Sequence, residues 1–299
     1  MSNSKENDNG RYFEYIVTEK IKKDLGVSLT ARAQTDQDRD KIKKIDPNVI
    51  IKMDAAAIKI SNWVSTKINA GSATILDRHP DKEKGKKTHE DISITDQKRQ
   101  VAFSLKHNHE AIFHGRIFSS NNWIGLNKEH PAQVKFKINK QKIISDLHRN
   151  IPIDTKFADK GIKEQYQDFW SDFIYKTHEN AKQLLVLSNS QKNYIDHLFN
   201  TIIGNGSNQY RVLKIRNKVV VQDLNNISQP SSVKIDNIQI KSTDSRSKYV
   251  WHLVFTFDNG LKVSGRSKQD SSTMKSVPSV KHDWQIKEFG KSGILEKEL

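Results

Sequence analysis

Between Asp91 and Lys106 the side chains alternate with a period of two, and no other stretch constrains the fold of this chain as tightly. In Val101–Lys106 the apolar Val101, Phe103 and Leu105 share one face, leaving Ala102, Ser104 and Lys106 on the other. In Asp91–Ile94 the same alternation sets Ile92 and Ile94 against Asp91 and Ser93. Thr95–Gln100 (TDQKRQ) is a short polar connection of the kind that joins hairpin strands. Antiparallel pairing brings the Asp91 carboxylate and the Lys106 ammonium toward one point. A carboxylate that holds a hard divalent cation, with a lysine beside it, suits phosphodiester hydrolysis, because both cations stabilise developing negative charge.

Around this hairpin the spacing is helical at first. Arg11–Leu25 places Phe13, Ile16, Val17, Ile21 and Leu25 on one stripe after a polar, frayed start, and Glu14 falls among the apolar residues, where an acid needs a partner. Asp46-Pro47 supplies an N-cap and a first-turn proline for a helix through Val49–Ile68. Asp77–Lys87 reads as a basic loop, Asn121–Leu126 as a turn or short strand, Val134–Ile138 as a strand and Lys140–His148 as a helix. Longer helices follow between Glu164 and Leu187 and from Ser190 to Ile203. From Tyr210 the period changes to that of strands: Tyr210–Ile215, Lys218–Gln222, Val233–Ile240 and Tyr249–Phe257. Asp258-Asn259-Gly260 marks a hairpin to Leu261–Arg266, and Arg266, Lys268, Lys275 and Lys281 fall in a Ser-rich run beyond it. The expected class is mixed α/β (α+β), with a central mixed sheet flanked by helices and a β-rich C-terminal part. The expected segments are 1–138 for the catalytic strands, 139–205 for a helical stretch and 206–299 for the β-rich remainder.

Composition narrows the chemistry. Lys+Arg 50 against Asp+Glu 35 leaves +15 at pH 7, which favours a polyanionic partner. With no cysteine in the chain, disulfides and thiolate metal sites are excluded, so any metal is held by oxygen or imidazole. No apolar run approaches the ~20 residues of a membrane span and the polar start lacks a secretory segment, so the expected location is cytoplasmic. No phosphate-cradling Gly-Lys-Ser/Thr motif is present.

Asp91, followed after twelve residues by Ser104-Leu105-Lys106, resembles the PD-(D/E)XK nuclease signature, with Ser104 standing where the second acid belongs. FSLKHNHEAIFHGRI (Phe103–Ile117) and FTFDNGLKVSGRSKQDSSTMKSVPSVKHDWQI (Phe255–Ile286) together resemble, in this order, two blocks of the HaeIII-type restriction endonucleases. The resemblance implies a type II restriction endonuclease with a restriction-endonuclease-like core. Such an enzyme would use Mg²⁺ to cut double-stranded DNA at a short palindrome of GGCC type, leaving blunt ends. A homodimer and a cognate DNA methyltransferase partner go with that reading.

The implied catalytic set is Asp91 and Lys106, with Glu14 or Glu110 in place of the missing acid and Asp91 and Glu14 holding the metal. His107, Asn108 and His109, which leave the strand beyond Lys106, and Arg116, Arg266 and Lys268 are the implied DNA contacts. Arg266 is the best base reader because arginine pairs bidentately with guanine. Gly265 departs from the family, which has a bulky apolar residue there. Asn108 would also cap a short helix carrying Glu110 and His114 on one face. Two other readings stand beside this one: a duplex-binding module without catalysis, and an RNA- or structure-specific nuclease on the same core.

Overall fold

In the computed structural model, described residues are 2–70, 73–79, 90–108, 113–115, 125–157, 159, 161–188, 192–203, 209–241, 250–269, 273–278 and 280–299. The chain forms two compact units interleaved in sequence; the boundary expected at 205 falls beside the one between Ile203 and Gly204, and the one expected at 138 lies inside unit 2. Unit 1 comprises Met1–Glu110, Gly204–Ile227 and Gly293–Leu299; unit 2 comprises Ala111–Ile203 and Ser228–Ser292.

Unit 1 is a seven-stranded mixed sheet. Its strands are β1 (Ser28–Leu29), β2 (Ile75–Arg78), β3 (Ile92–Thr95), β4 (Gln100–His107), β6 (Gln209–Ile215), β7 (Lys218–Asp223) and β12 (Leu295–Glu298). They lie in the order β1-β2-β3-β4-β6-β7-β12. The expected hairpin forms as β3 and β4, with Ile92 opposite Phe103 and Ile94 opposite Val101. β4 then pairs in parallel with β6, which returns from about a hundred residues downstream; periodicity within one strand says nothing about so distant a neighbour.

Helices α1 (Ser2–Leu25), α2 (Ala31–Lys41) and α3 (Pro47–Ser65) are the described helices of this unit. Phe13, Val17 and Ile21 of α1 and Met53, Ala57, Ile60 and Val64 of α3 form a core with Ile92, Ile94, Val101, Phe103 and Val212 of the strands. Asp46 caps α3 by accepting from the Asn48 N–H at 2.8 Å, and Pro47 occupies the first turn. The start expected to fray is part of α1, and α2 is a helix that no apolar stripe announces: Thr30 caps it and only Ala33, Gln37 and Asp40 are buried.

Unit 2 carries a five-stranded antiparallel sheet in the order β5 (Phe113–Gly115), β11 (Val280–Glu288), β10 (Lys262–Gln269), β9 (Val250–Phe257) and β8 (Val233–Lys241). Its helices are α4 (Pro131–Asn150), α5 (Ile162–Gln165), α6 (Gln167–Ser188) and α7 (Lys192–Ile203). The strand expected at Val134–Ile138 is instead the first half of α4. His130 accepts from the Ala132 N–H and Pro131 presets the helix, while Val134 and Ile138 are exposed and only Phe136 is buried, so their alternation was accidental. Likewise His114 lies on β5 rather than on a helix capped by Asn108.

Gly260 at φ +80 turns the β9–β10 hairpin, and the Gly260 N–H reaches the Phe257 carbonyl at 2.8 Å. The run holding Arg266 and Lys268 is strand β10, and Lys281 lies on β11 directly opposite Lys268. Gly265 stands opposite Trp284, and a Cβ there would come within 2.7 Å of the Trp284 ring. Trp284 of the neighbouring strand fills the space over Gly265 and packs on Phe255 with ring centroids 5.4 Å apart. Gly265→Ala is expected to destabilise unit 2 by about 1–3 kcal/mol, since the buried indole has to shift. An unchanged melting temperature would contradict that packing.

Candidate active site

The expected pair converges. Strand β3 pairs with β4 from Ile92 onward, and Asp91 continues the ladder by donating its N–H to the Phe103 carbonyl at 3.0 Å. Further along β4 the Leu105 N–H donates to the Asp91 carboxylate, Oδ2, at 2.6 Å. The Lys106 ammonium lies 3.6 Å from the same oxygen. Asp91 is 1% exposed, so this carboxylate is fixed in a dry site by a backbone donor and a cation. Ser104, one step before Leu105 on the Lys106 face, is buried too. His79 Nε2 meets Ser93 Oγ at 2.8 Å and the His79 N–H donates to the Asp91 carbonyl, which ties β2 to the same corner.

Glu14 finds the partner that its apolar setting required. Arg78, at the end of β2, is 2% exposed and donates to Glu14 Oε2 at 2.9 Å, Asp40 Oδ2 at 2.9 Å and Gln37 Oε1 at 2.8 Å. Asp40 is completely buried. Arg78 stands opposite Ile92, on the helix-covered face, whereas the alternation assigns Asp91 to the other face. The Glu14 carboxylate is therefore engaged in a buried ionic cluster that joins α1, α2 and β2. Among the described residues, no three His, Asp or Glu side chains converge as a metal-holding group.

His107 packs its ring on Phe13, 5.4 Å between centroids, with Nε2 buried and without a hydrogen-bond partner. Burial, reinforced by Lys214, lowers its pKa to about 4, so at neutral pH it is an uncharged ring. Asn108 leaves β4 at φ +52, accepts from the Arg216 N–H at 3.0 Å and donates its own N–H to the Lys214 carbonyl at 2.6 Å. It fastens β4 to the β6–β7 turn. His109, Glu110 and Arg116 lie outside the described residues. Arg266 is half-buried on β10 of unit 2, with His252 and Asp283 as its cross-strand neighbours; Lys268 is on the same strand.

Sequence reasoning missed Arg211. It stands opposite Ser104 across the parallel β4–β6 pair and is 3% exposed. One end donates to Gln222 Oε1 at 2.9 Å, and Gln222 passes the contact on to Glu296 at 2.8 Å. Its Nη2 is buried without a hydrogen-bond partner, and burial lowers its pKa to about 10 against the opposing pull of Glu296. The signal was present as an arginine inside the apolar alternation Tyr210–Ile215, but its neighbour Ser104 is known only from the strand pairing.

Among the described residues no helix is long and apolar enough to cross a membrane. Comparison with models of known families, with curated proteins and with solved structures gives no match.

Proposed function

We propose that this chain is a Mg²⁺-dependent type II restriction endonuclease that hydrolyses double-stranded DNA. The observation that carries the reading is the approach of Lys106 to the buried Asp91 carboxylate, 3.6 Å apart on adjacent strands of a mixed sheet. Asp91 and the Ser104 hydroxyl offer oxygen donors on one face, and Mg²⁺ suits a site with so few protein ligands because it keeps several waters and takes substrate phosphate oxygens. When bound, it supplies Lewis acidity and lowers the pKa of water. Asp91 would hold it, while Lys106 would orient the attacking water and stabilise charge on the phosphoryl oxygens. The Leu105 N–H keeps the carboxylate aimed, so little reorganisation accompanies reaction. Glu110 is the acid we assign to stand in for the one missing at Ser104, because Glu14 is held by Arg78. By the sequence resemblance, the target is a GGCC-like palindrome cut by a homodimer, with Arg266 and Lys268 contacting the duplex in a cytoplasmic restriction–modification system that includes a methyltransferase.

A second reading, a duplex-binding module that does not cut, is favoured by one observation: Ser104 stands in the second acid's place, and among the described residues no three His, Asp or Glu gather to hold a metal. Duplex DNA, single-stranded DNA and RNA incubated in parallel with Mg²⁺ or EDTA separate the alternatives. The nuclease predicts Mg²⁺-dependent cutting of the duplex alone. Metal-independent retardation without cutting would establish the module, and selective loss of RNA or single strands would move the substrate to another class.

A further inference from the structure

On the other face of unit 1, at the same end of the sheet as Lys106, a cavity of about 160 Å³ opens between α3 and the β6–β7 turn. Lys52 and Lys59 of α3, Lys214 of β6 and Arg216 and Asn217 of the turn line it, and no lining residue is acidic. Four cations around a small space repel one another unless an anion joins them. Lys214 is the costliest of them: it is 2% exposed and its ammonium donates to a neutral acceptor, the Arg216 carbonyl, at 2.7 Å. Burial, and then Lys52, lower its pKa. Lys59 is already engaged, donating to a main-chain oxygen of Leu299 at 2.5 Å. Lys52 and Arg216 are exposed and have no acidic partner among the described residues.

The turn is also held in an unfavourable shape. Arg216 adopts φ +54, in the left-handed region that costs such a residue about 1–2 kcal/mol, beside Asn108 at φ +52, which asparagine reaches more readily. The Asn108 side chain locks Arg216 in place through its N–H. In the pairing register Lys214 lies beside His107, the residue immediately after Lys106. The geometry thus fixes a cationic cavity one residue beyond the candidate catalytic lysine.

We propose that this cavity is a phosphate-binding site that takes a backbone phosphodiester of the nucleic-acid strand flanking the cut. A tetrahedral dianion or diester fits the chemistry: Lys52 and Arg216 supply mobile cationic donors and Lys214 a fixed one. The assignment of the phosphate to a nucleic acid rests on the nuclease reading; the site itself rests on the cavity.

The test uses the full chain and the double variant Lys52→Gln/Arg216→Gln, which alters exposed side chains. A second double variant, Lys41→Gln/Lys44→Gln, changes exposed lysines elsewhere on unit 1. Binding of a short duplex of arbitrary sequence is followed by fluorescence anisotropy in EDTA between about 50 and 200 mM salt. Loss of one phosphate contact is expected to reduce the slope of log K against log[salt] by about 0.9 and the low-salt affinity about tenfold, with the control variant unchanged. An unchanged slope and affinity would overturn the proposal. So would a variant that loses competition by inorganic phosphate while its duplex slope stays intact, since the site would then serve a small free phosphate. If the slope falls but no DNA is ever cut, the site stands and the nuclease reading fails; if DNA is cut with the slope untouched, the reverse holds.

Discussion

Asp91→Asn is expected to lower the rate of Mg²⁺-dependent duplex cleavage by about three orders of magnitude, equivalent to ~4 kcal/mol of transition-state stabilisation. The substitution is close to isosteric and keeps an oxygen for the Leu105 N–H, so the corner where β3 meets β4 retains its shape. What is lost is the negative charge that holds the cation and faces Lys106. Lys106→Met, which preserves the aliphatic stem, should cause a loss of similar size. Duplex affinity should stay within about tenfold in both, because one charge in the reacting corner contributes far more to the transition state than to ground-state binding. Single-turnover cleavage together with anisotropy measures the two quantities separately. Normal cleavage by either variant would place the chemistry elsewhere.

The second large effect is on stability. Arg78→Met should destabilise the protein by about 3–5 kcal/mol, because it strands the fully buried Asp40 and leaves Glu14 and Gln37 without the cation they share. For a protein of this size that corresponds to a fall of roughly 10 °C in melting temperature. Arg39 still bonds Asp40, but its side chain is 49% exposed and compensates weakly. Neutralising the acids in the triple variant Arg78→Met/Asp40→Asn/Glu14→Gln should recover part of the loss, since the damage comes from buried unpaired charge rather than from lost volume. A melting temperature unmoved by Arg78→Met would show that the cluster does not hold α1, α2 and β2 together. In the same preparations Glu14→Gln should lose stability while keeping cleavage; the opposite pattern would return Glu14 to the metal.

The Asp91–Lys106 corner and the Arg78 cluster differ in how legible they were in the sequence. Residues 91–106 could be read directly, because period-two alternation and a short polar connection are local properties, and the Asp91–Lys106 approach follows from the pairing they dictate. The partner of Glu14 could be anticipated only as a cation; that it is Arg78, together with Asp40 and Gln37, depends on a helix whose polar sequence carries no apolar stripe. Arg211 beside Ser104, and Lys214 beside His107, come from a parallel pairing across a long separation, for which the sequence holds no register signal. Val134–Ile138 misled because alternation alone cannot tell a strand from a helix that buries Phe136 and leaves Val134 and Ile138 exposed on its other side, and the Pro131 start sets the helix. Trp284 over Gly265 shows the complementary case, in which a residue that departs from an expected pattern is matched from another strand.

The central claim is that the Asp91–Lys106 corner cuts DNA at a defined sequence. The most direct test is digestion of unmethylated phage DNA by the purified protein in Mg²⁺, with an EDTA control, followed by sequencing of the fragment ends. Discrete fragments whose ends share one short palindromic sequence, absent from the EDTA control, are the predicted result. DNA that is retarded but remains intact in Mg²⁺ would contradict it.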